Sequence, residues 1–252
     1  MNELVQYSIL LCGTALLGGL IIQIAGSKLL KHLKLLLSFG GAYLIGLCFL
    51  HLVPEVFATG GKTAGWFVLG GFLLQLLLEY LSQGIEHGHF HEPKAIEKGK
   101  KQFPLMIFIS LCIHAFIEAM PLTGGMHDHG HDHSHVHLDG DSLLIGIIIH
   151  KLPVAMVLAG MLLSAGLKSG IRWGLLLVFG LMPVAGLLLS DLLLHHSGVD
   201  MNMLITGLSG VLIGILLHIS TTILFETSDG HHFNLTKLLV VIAGILMAAL
   251  TL

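Results

Sequence analysis

The stretch Ser142-Leu-Leu-Ile-Gly-Ile-Ile-Ile-His150-Lys151-Leu-Pro153-Val154-Ala-Met-Val-Leu-Ala-Gly-Met-Leu-Leu-Ser-Ala165 decides the class of this protein. It is an almost unbroken apolar run, and a helix needs about 20 such residues to cross roughly 30 Å of hydrocarbon. Outward from it, similar runs recur along the whole chain. They predict eight transmembrane helices, at 4–24, 35–57, 63–81, 103–122, 142–165, 173–194, 203–225 and 235–252. Composition agrees: of 252 residues 54% are hydrophobic and 11% charged, whereas a soluble domain carries about 25% charged residues. The expected architecture is an all-α membrane protein. One transmembrane domain covers 1–252, with polar loops at 84–102 and 123–141.

Several classes fall away at once. Twelve Lys plus Arg, a net charge of −3 and no basic tail leave no electrostatic footprint for nucleic acid. The N-terminus lacks a positive n-region, and its apolar run is longer than a signal-peptide core, so it reads as the first span. Cys12, Cys48 and Cys112 lie inside apolar runs with no Cys-x-x-Cys pair. They read as small packing residues rather than a disulfide framework or a zinc-thiolate site.

The cations set an expected orientation. Lys28, Lys31 and Lys34 follow the first span, Lys94, Lys98, Lys100 and Lys101 the third, Lys168 and Arg172 the fifth, and Lys237 the seventh. Only Lys62 lies in a loop of the other set, and Lys151 is inside the fifth span. Because cytoplasmic loops accumulate Lys and Arg, both termini are expected outside the cytoplasm. The membrane is expected to be the plasma membrane, or the inner membrane in a Gram-negative bacterium.

Gly41-Ala-Tyr-Leu-Ile-Gly-Leu-Cys-Phe-Leu-His51 in the second span resembles Gly210-Val-Leu-Ile-Gly-Ile-Leu-Leu-His218 in the seventh. On the expected topology these run in opposite senses, as in an inverted-repeat transporter with its site between the repeats. Chance recurrence of Gly, Leu and Ile is the alternative.

Ionisable side chains in hydrocarbon cost several kcal/mol unless paired or facing a polar cavity, so they point to function. The fourth span holds Cys112-Ile-His114-Ala-Phe-Ile-Glu118-Ala-Met-Pro121, and the fifth holds His150-Lys151-Leu-Pro153. His114 and Glu118, four apart, share a helix face. With His150 they reach the middle of the bilayer, giving a nitrogen and oxygen set suited to a divalent first-row metal. A satisfied pair of structural histidines is the alternative.

These two spans resemble the ZIP family of divalent metal transporters. That family carries a His-x-x-x-Glu element on its fourth helix, matched by His114 and Glu118. On its fifth it carries His-Lys- or His-Asn-x-Pro-Glu, matched by His150, Lys151 and Pro153. Phe49-Leu-His51-Leu-Val-Pro54-Glu55 looks like the family's Phe-Leu-His-Leu-x-Pro-Glu. The resemblance covers essentially the whole chain. It implies import of Zn²⁺ or a related divalent ion, with inverted repeats formed by spans 1–3 and 6–8 around spans 4 and 5. Many members hold a second ion beside the first. The places of those ligands are taken here by Ala115, Lys151, Val154 and Met182. A single ion held by His114, Glu118 and His150 is therefore expected, with the Lys151 ammonium standing in for the second cation and lying close to Glu118.

Along the path, His51 and Glu55 are candidates for an entrance, and His218 and Glu226, followed by Asp229, His231 and His232, for an exit. For Glu55 and Glu226 an interfacial carboxylate in contact with water is the alternative. Glu79 and Asp191 read as interfacial. His87, His89 and His91 in one loop, and His127, His129, His131, His133, His135 and His137 in the other, alternate with other residues. Such tracts chelate transition metals without a fold, releasing them on acidification. Metal capture is the expected role, against a solvated loop with incidental affinity.

The expected partners are a divalent metal ion, as transported substrate, and the lipid bilayer. A homodimer is left open. Competing readings are a cation exporter, a membrane-embedded metallohydrolase using the same ligands to activate water, and a metal sensor or structural protein without flux. No His-Glu-x-x-His element supports the hydrolase. The protein is expected not to be an enzyme.

Overall fold

The computed structural model describes residues 2–25, 30–82, 105–126, 140–196, 200–226 and 235–251. They form α1 (Asn2–Ala25), α2 (Leu30–Leu47), a π-helical turn (Cys48–Leu52), α3 (Val53–Ser82), α4 (Leu105–Ala119), the short α5 (Leu122–Met126), α6 (Gly140–Ser164), α7 (Ser169–His196), α8 (Met201–Glu226) and α9 (Leu235–Leu250). Among the described residues, six helical stretches are long and apolar enough to cross a membrane, and α9 is a shorter apolar helix. Large apolar side chains such as Ile9, Ile24, Trp66, Leu188 and Leu250 cover the periphery. His114, Glu118, His150 and Lys151 are buried inside. A soluble protein does not expose apolar surface on that scale. The chain is an all-α membrane protein.

One of the six stretches, 33–81, is 49 residues long, about 73 Å at 1.5 Å per residue and more than twice the hydrocarbon thickness. It turns back on itself at Gly61, where φ is 50° and ψ is −134°. Only glycine takes such a φ at little cost. The reversal is visible against α8: Gly41 lies on Ile223, Gly60 on Thr206 and Gly71 on Val211, and the Phe72 ring meets His218 edge-on. Before Gly61 the chain runs antiparallel to α8, and after it parallel.

The remaining senses follow from similar close approaches. Tyr7 donates a hydrogen bond to Asp141 at 2.8 Å and Gly18 lies on Ala155, so α1 and α6 run parallel. Gly19 on Leu176 and Gly180 on Cys12 make α1 and α7 antiparallel. Gly186 on Phe116 of α4 and, farther along both, the hydroxyls of Thr123 in α5 and Ser190 in α7 2.6 Å apart make the α4–α5 segment run parallel to α7. Gly244 on Ala42 and Gly46 on Ala248 do the same for α2 and α9. Small residues at these crossings let backbones approach where lipid offers no hydrophobic drive to associate.

Hydroxyls stitch the bundle at positions that would otherwise bury polar groups unpaired. Ser110 donates to the Leu78 carbonyl at 2.7 Å. Tyr43 is hydrogen-bonded to Thr251 at 2.9 Å, and Ser142 donates to the Thr251 carbonyl at 2.6 Å. At the opposite end Lys237 donates to the Leu224 carbonyl at 2.8 Å, capping the last turn of α8 with a cation. The helix α6 is buried around most of its circumference. The bundle's centre is therefore the helix that carries His150.

Candidate metal centre

The centre is built where α4 and α6 meet at mid-depth. His114 lies nine residues into α4 and His150 ten residues into α6, about 14–15 Å along each axis. Pro121 cannot donate to the Ile117 carbonyl and helps end α4, where Met120 bonds that carbonyl instead at 3.2 Å. Pro153 likewise leaves the Ile149 carbonyl, next to His150, without its helical donor.

His114 Nε2 and Glu118 Oε2 are 3.7 Å apart, and the His114 and His150 rings stand nearly perpendicular with centroids 6.1 Å apart. Each of the three side chains offers a ligand atom within 4.8 Å of the others, and among the described residues this is the one such group of three or more His, Cys, Asp or Glu. Zinc bonds of about 2.0–2.2 Å put two ligand atoms at most about 4.3 Å apart. Small side-chain rotations would therefore close the set round an ion. All three residues are at most 3% exposed. Glu118 Oε1 has no hydrogen-bond partner among the described residues, a costly state for a buried oxygen unless a cation meets it.

Neighbouring helices hold the two ligand-bearing segments in place. Gly40 on α2 lies against His150, where a methyl group would fall 3.5 Å from the His150 Cα. Gly186 on α7 lies against the Phe116 carbonyl, between the two α4 ligands.

Lys151, 2% exposed, follows His150. Its Nζ has no hydrogen-bond partner among the described residues and lies 4.3 Å from the centroid of the Phe179 ring on α7. Its charge and that of Glu118 are close enough to interact. Ala115 and Val154 are buried and Met182 is half-buried.

The other expected residues do not join this group. His51 and Glu55 form their own pair at 3.5 Å. His51 sits in the π-helical turn, where the Val53 N–H reaches back to the Cys48 carbonyl. Pro54, with no N–H to continue the α-helical ladder, accounts for the widened turn. His218 is bonded to Glu79 across α3 and α8. Glu79, expected at the interface, is thus paired across two helices, with its side chain 19% exposed. The signal for it in the sequence is a lone carboxylate inside an apolar span. Asp191 is partly exposed and lies 3.6 Å from His195. Glu226 closes α8, but its side chain lies outside the described residues, as do Asp229, His231, His232 and both His-bearing loops, with His87, His89, His91, His127, His129, His131, His133, His135 and His137.

No family model matches the sequence, and no curated protein matches it.

Proposed function

We propose that this chain is a ZIP-type transporter that carries Zn²⁺ or a related divalent transition metal across the membrane through a single site on α4 and α6. The observation that carries this reading is the group His114, Glu118 and His150, buried at mid-depth with ligand atoms within 4.8 Å of one another. Two neutral imidazoles and one carboxylate supply borderline donors and one negative charge, which suits zinc and its neighbours.

The helix senses support eight crossings, with 33–81 counted as two and α9 as the eighth. Exchanging α1 with α7, α2 with α8, the second half of α3 with α9, and α4 with α6 turns the α3–α8 pair into α2–α9 and the α1–α6 pair into α4–α7, and maps α1–α7 and α2–α8 onto themselves, whereas the α2–α6 and α3–α4 packings have no counterpart of like extent. It also reverses every helix. That pattern supports inverted repeats with the site on the helices between them. Lys34, Lys168, Arg172 and Lys237 fall at the end of the bundle opposite Lys62, which supports a cytoplasmic assignment for that end. On this reading His51 and Glu55 receive the ion on the outer side, and His218 with Glu79 meets it on the way to the cytoplasm.

The test is uptake of Zn²⁺ into liposomes containing the purified protein. Wild-type protein should give flux that saturates with metal, and His114→Ala, Glu118→Ala and His150→Ala should each reduce it to the level of empty liposomes while remaining folded. Normal flux in all three variants would place the path elsewhere. Absence of flux in folded wild type would favour the sensor, structural or hydrolase readings.

A further inference from the structure

Lys151 presents an unusual problem in the metal site proposed above, on which this inference rests. Its ammonium is sealed from solvent and has no hydrogen-bond partner among the described residues, although the Glu118 carboxylate is near enough for the two charges to interact. The Nζ instead faces the ring of Phe179, 4.3 Å from its centroid. Phe179 is 1% exposed and belongs to α7, not to either ligand-bearing helix. Gly180, beside it, lies against Cys12 of α1, so this part of α7 is packed firmly against its neighbour.

A cation over an aromatic face is attracted by the ring quadrupole, and the attraction grows when water is excluded. Without that face, the strongest attraction open to a buried ammonium is the nearest anion. An ammonium bonded to Glu118 would occupy the oxygen that the metal needs. We propose that Phe179 is a positioning residue that holds the Lys151 ammonium off Glu118. The carboxylate thereby stays available to one divalent ion, while the adjacent place stays filled by a fixed positive charge. Phe179 acts through Lys151 and touches no ion itself.

The experiment is equilibrium Zn²⁺ binding to the purified full-length chain in detergent, by chelator competition, with thermal unfolding recorded for each variant. Phe179→Leu, which removes the π-face but stays apolar, should weaken binding roughly tenfold. Phe179→Tyr keeps the face and should bind within about twofold of wild type. In a Lys151→Met background the loss caused by Phe179→Leu should disappear, because no ammonium remains to move. Should Phe179→Leu fail to fold, Phe179→Met gives the same comparison. An equal loss with and without Lys151 would mean that Phe179 only packs, and no loss in the wild-type background would mean that the ring does not hold the ammonium. Either result overturns the inference while leaving the metal site standing. Wild-type protein that binds no Zn²⁺ would overturn both.

Discussion

Gly186 on α7 presses on the carbonyl of Phe116 in α4 so closely that a methyl group at Gly186 would overlap that oxygen. Phe116 lies midway between His114 and Glu118, so the seat of α7 on α4 fixes the height of two ligands at once. A helix pair this close depends on a residue without a Cβ.

Gly186→Ala should therefore push α4 and α7 apart. The expected cost is about 1–3 kcal/mol of stability, the usual scale for overpacking, with weaker Zn²⁺ binding. Gly174 on the same helix has nothing within 4 Å of an added Cβ, and Gly174→Ala should be neutral or stabilising by up to about 1 kcal/mol. Thermal unfolding in detergent separates the two, and equal midpoints would show that the α4–α7 contact is not tight.

The pair formed by His218 and Glu79 gives a second expectation. Removing one partner leaves the other buried in part without its hydrogen bond, at a cost of about 1–3 kcal/mol. Glu79→Ala and His218→Ala should each destabilise, and the double variant should lose less than the sum by about 0.5–3 kcal/mol. Strict additivity in the unfolding free energies would show that the two side chains do not support each other.

Stoichiometry tests the reading of the positions around the ligands. Ala115 and Val154 are apolar and buried, Met182 is a poor ligand for a hard or borderline cation, and Lys151 carries a like charge. Crystals soaked in Cd²⁺ should hold one ion among His114, Glu118 and His150. A pair of ions about 4 Å apart would mean that Lys151 has swung away or lost its proton.

The His-rich loop at 127–137 is expected to act in capture and not in passage. Deleting 127–137 should raise the metal concentration needed for half-maximal uptake and leave the maximal rate within about twofold. Loss of flux at saturating metal would put the loop in the path itself.

The sequence by itself determined the class of this protein and the members of its candidate centre. Apolar runs long enough to span hydrocarbon read directly as membrane helices, and the spacing of His114 and Glu118 put them on one helix face because helical geometry is local. Hydropathy left a gap between the expected spans 35–57 and 63–81 that contains Gly61, though the positive φ that turns the chain there is known only from the structure. What lies between helices was decided by packing. Bringing His150 to His114 required α4 and α6 to meet at one depth, which depends on the glycine contacts made by α2 and α7. The pairing of His218 with Glu79 was not legible in the sequence, because the two are 139 residues apart in the chain and hydropathy along a single span carries no record of the helix that packs across it. The same holds for Lys151. Its place in the chain put it beside His150, but only the tertiary structure turned its ammonium to Phe179, because the aromatic face that receives it is supplied by α7.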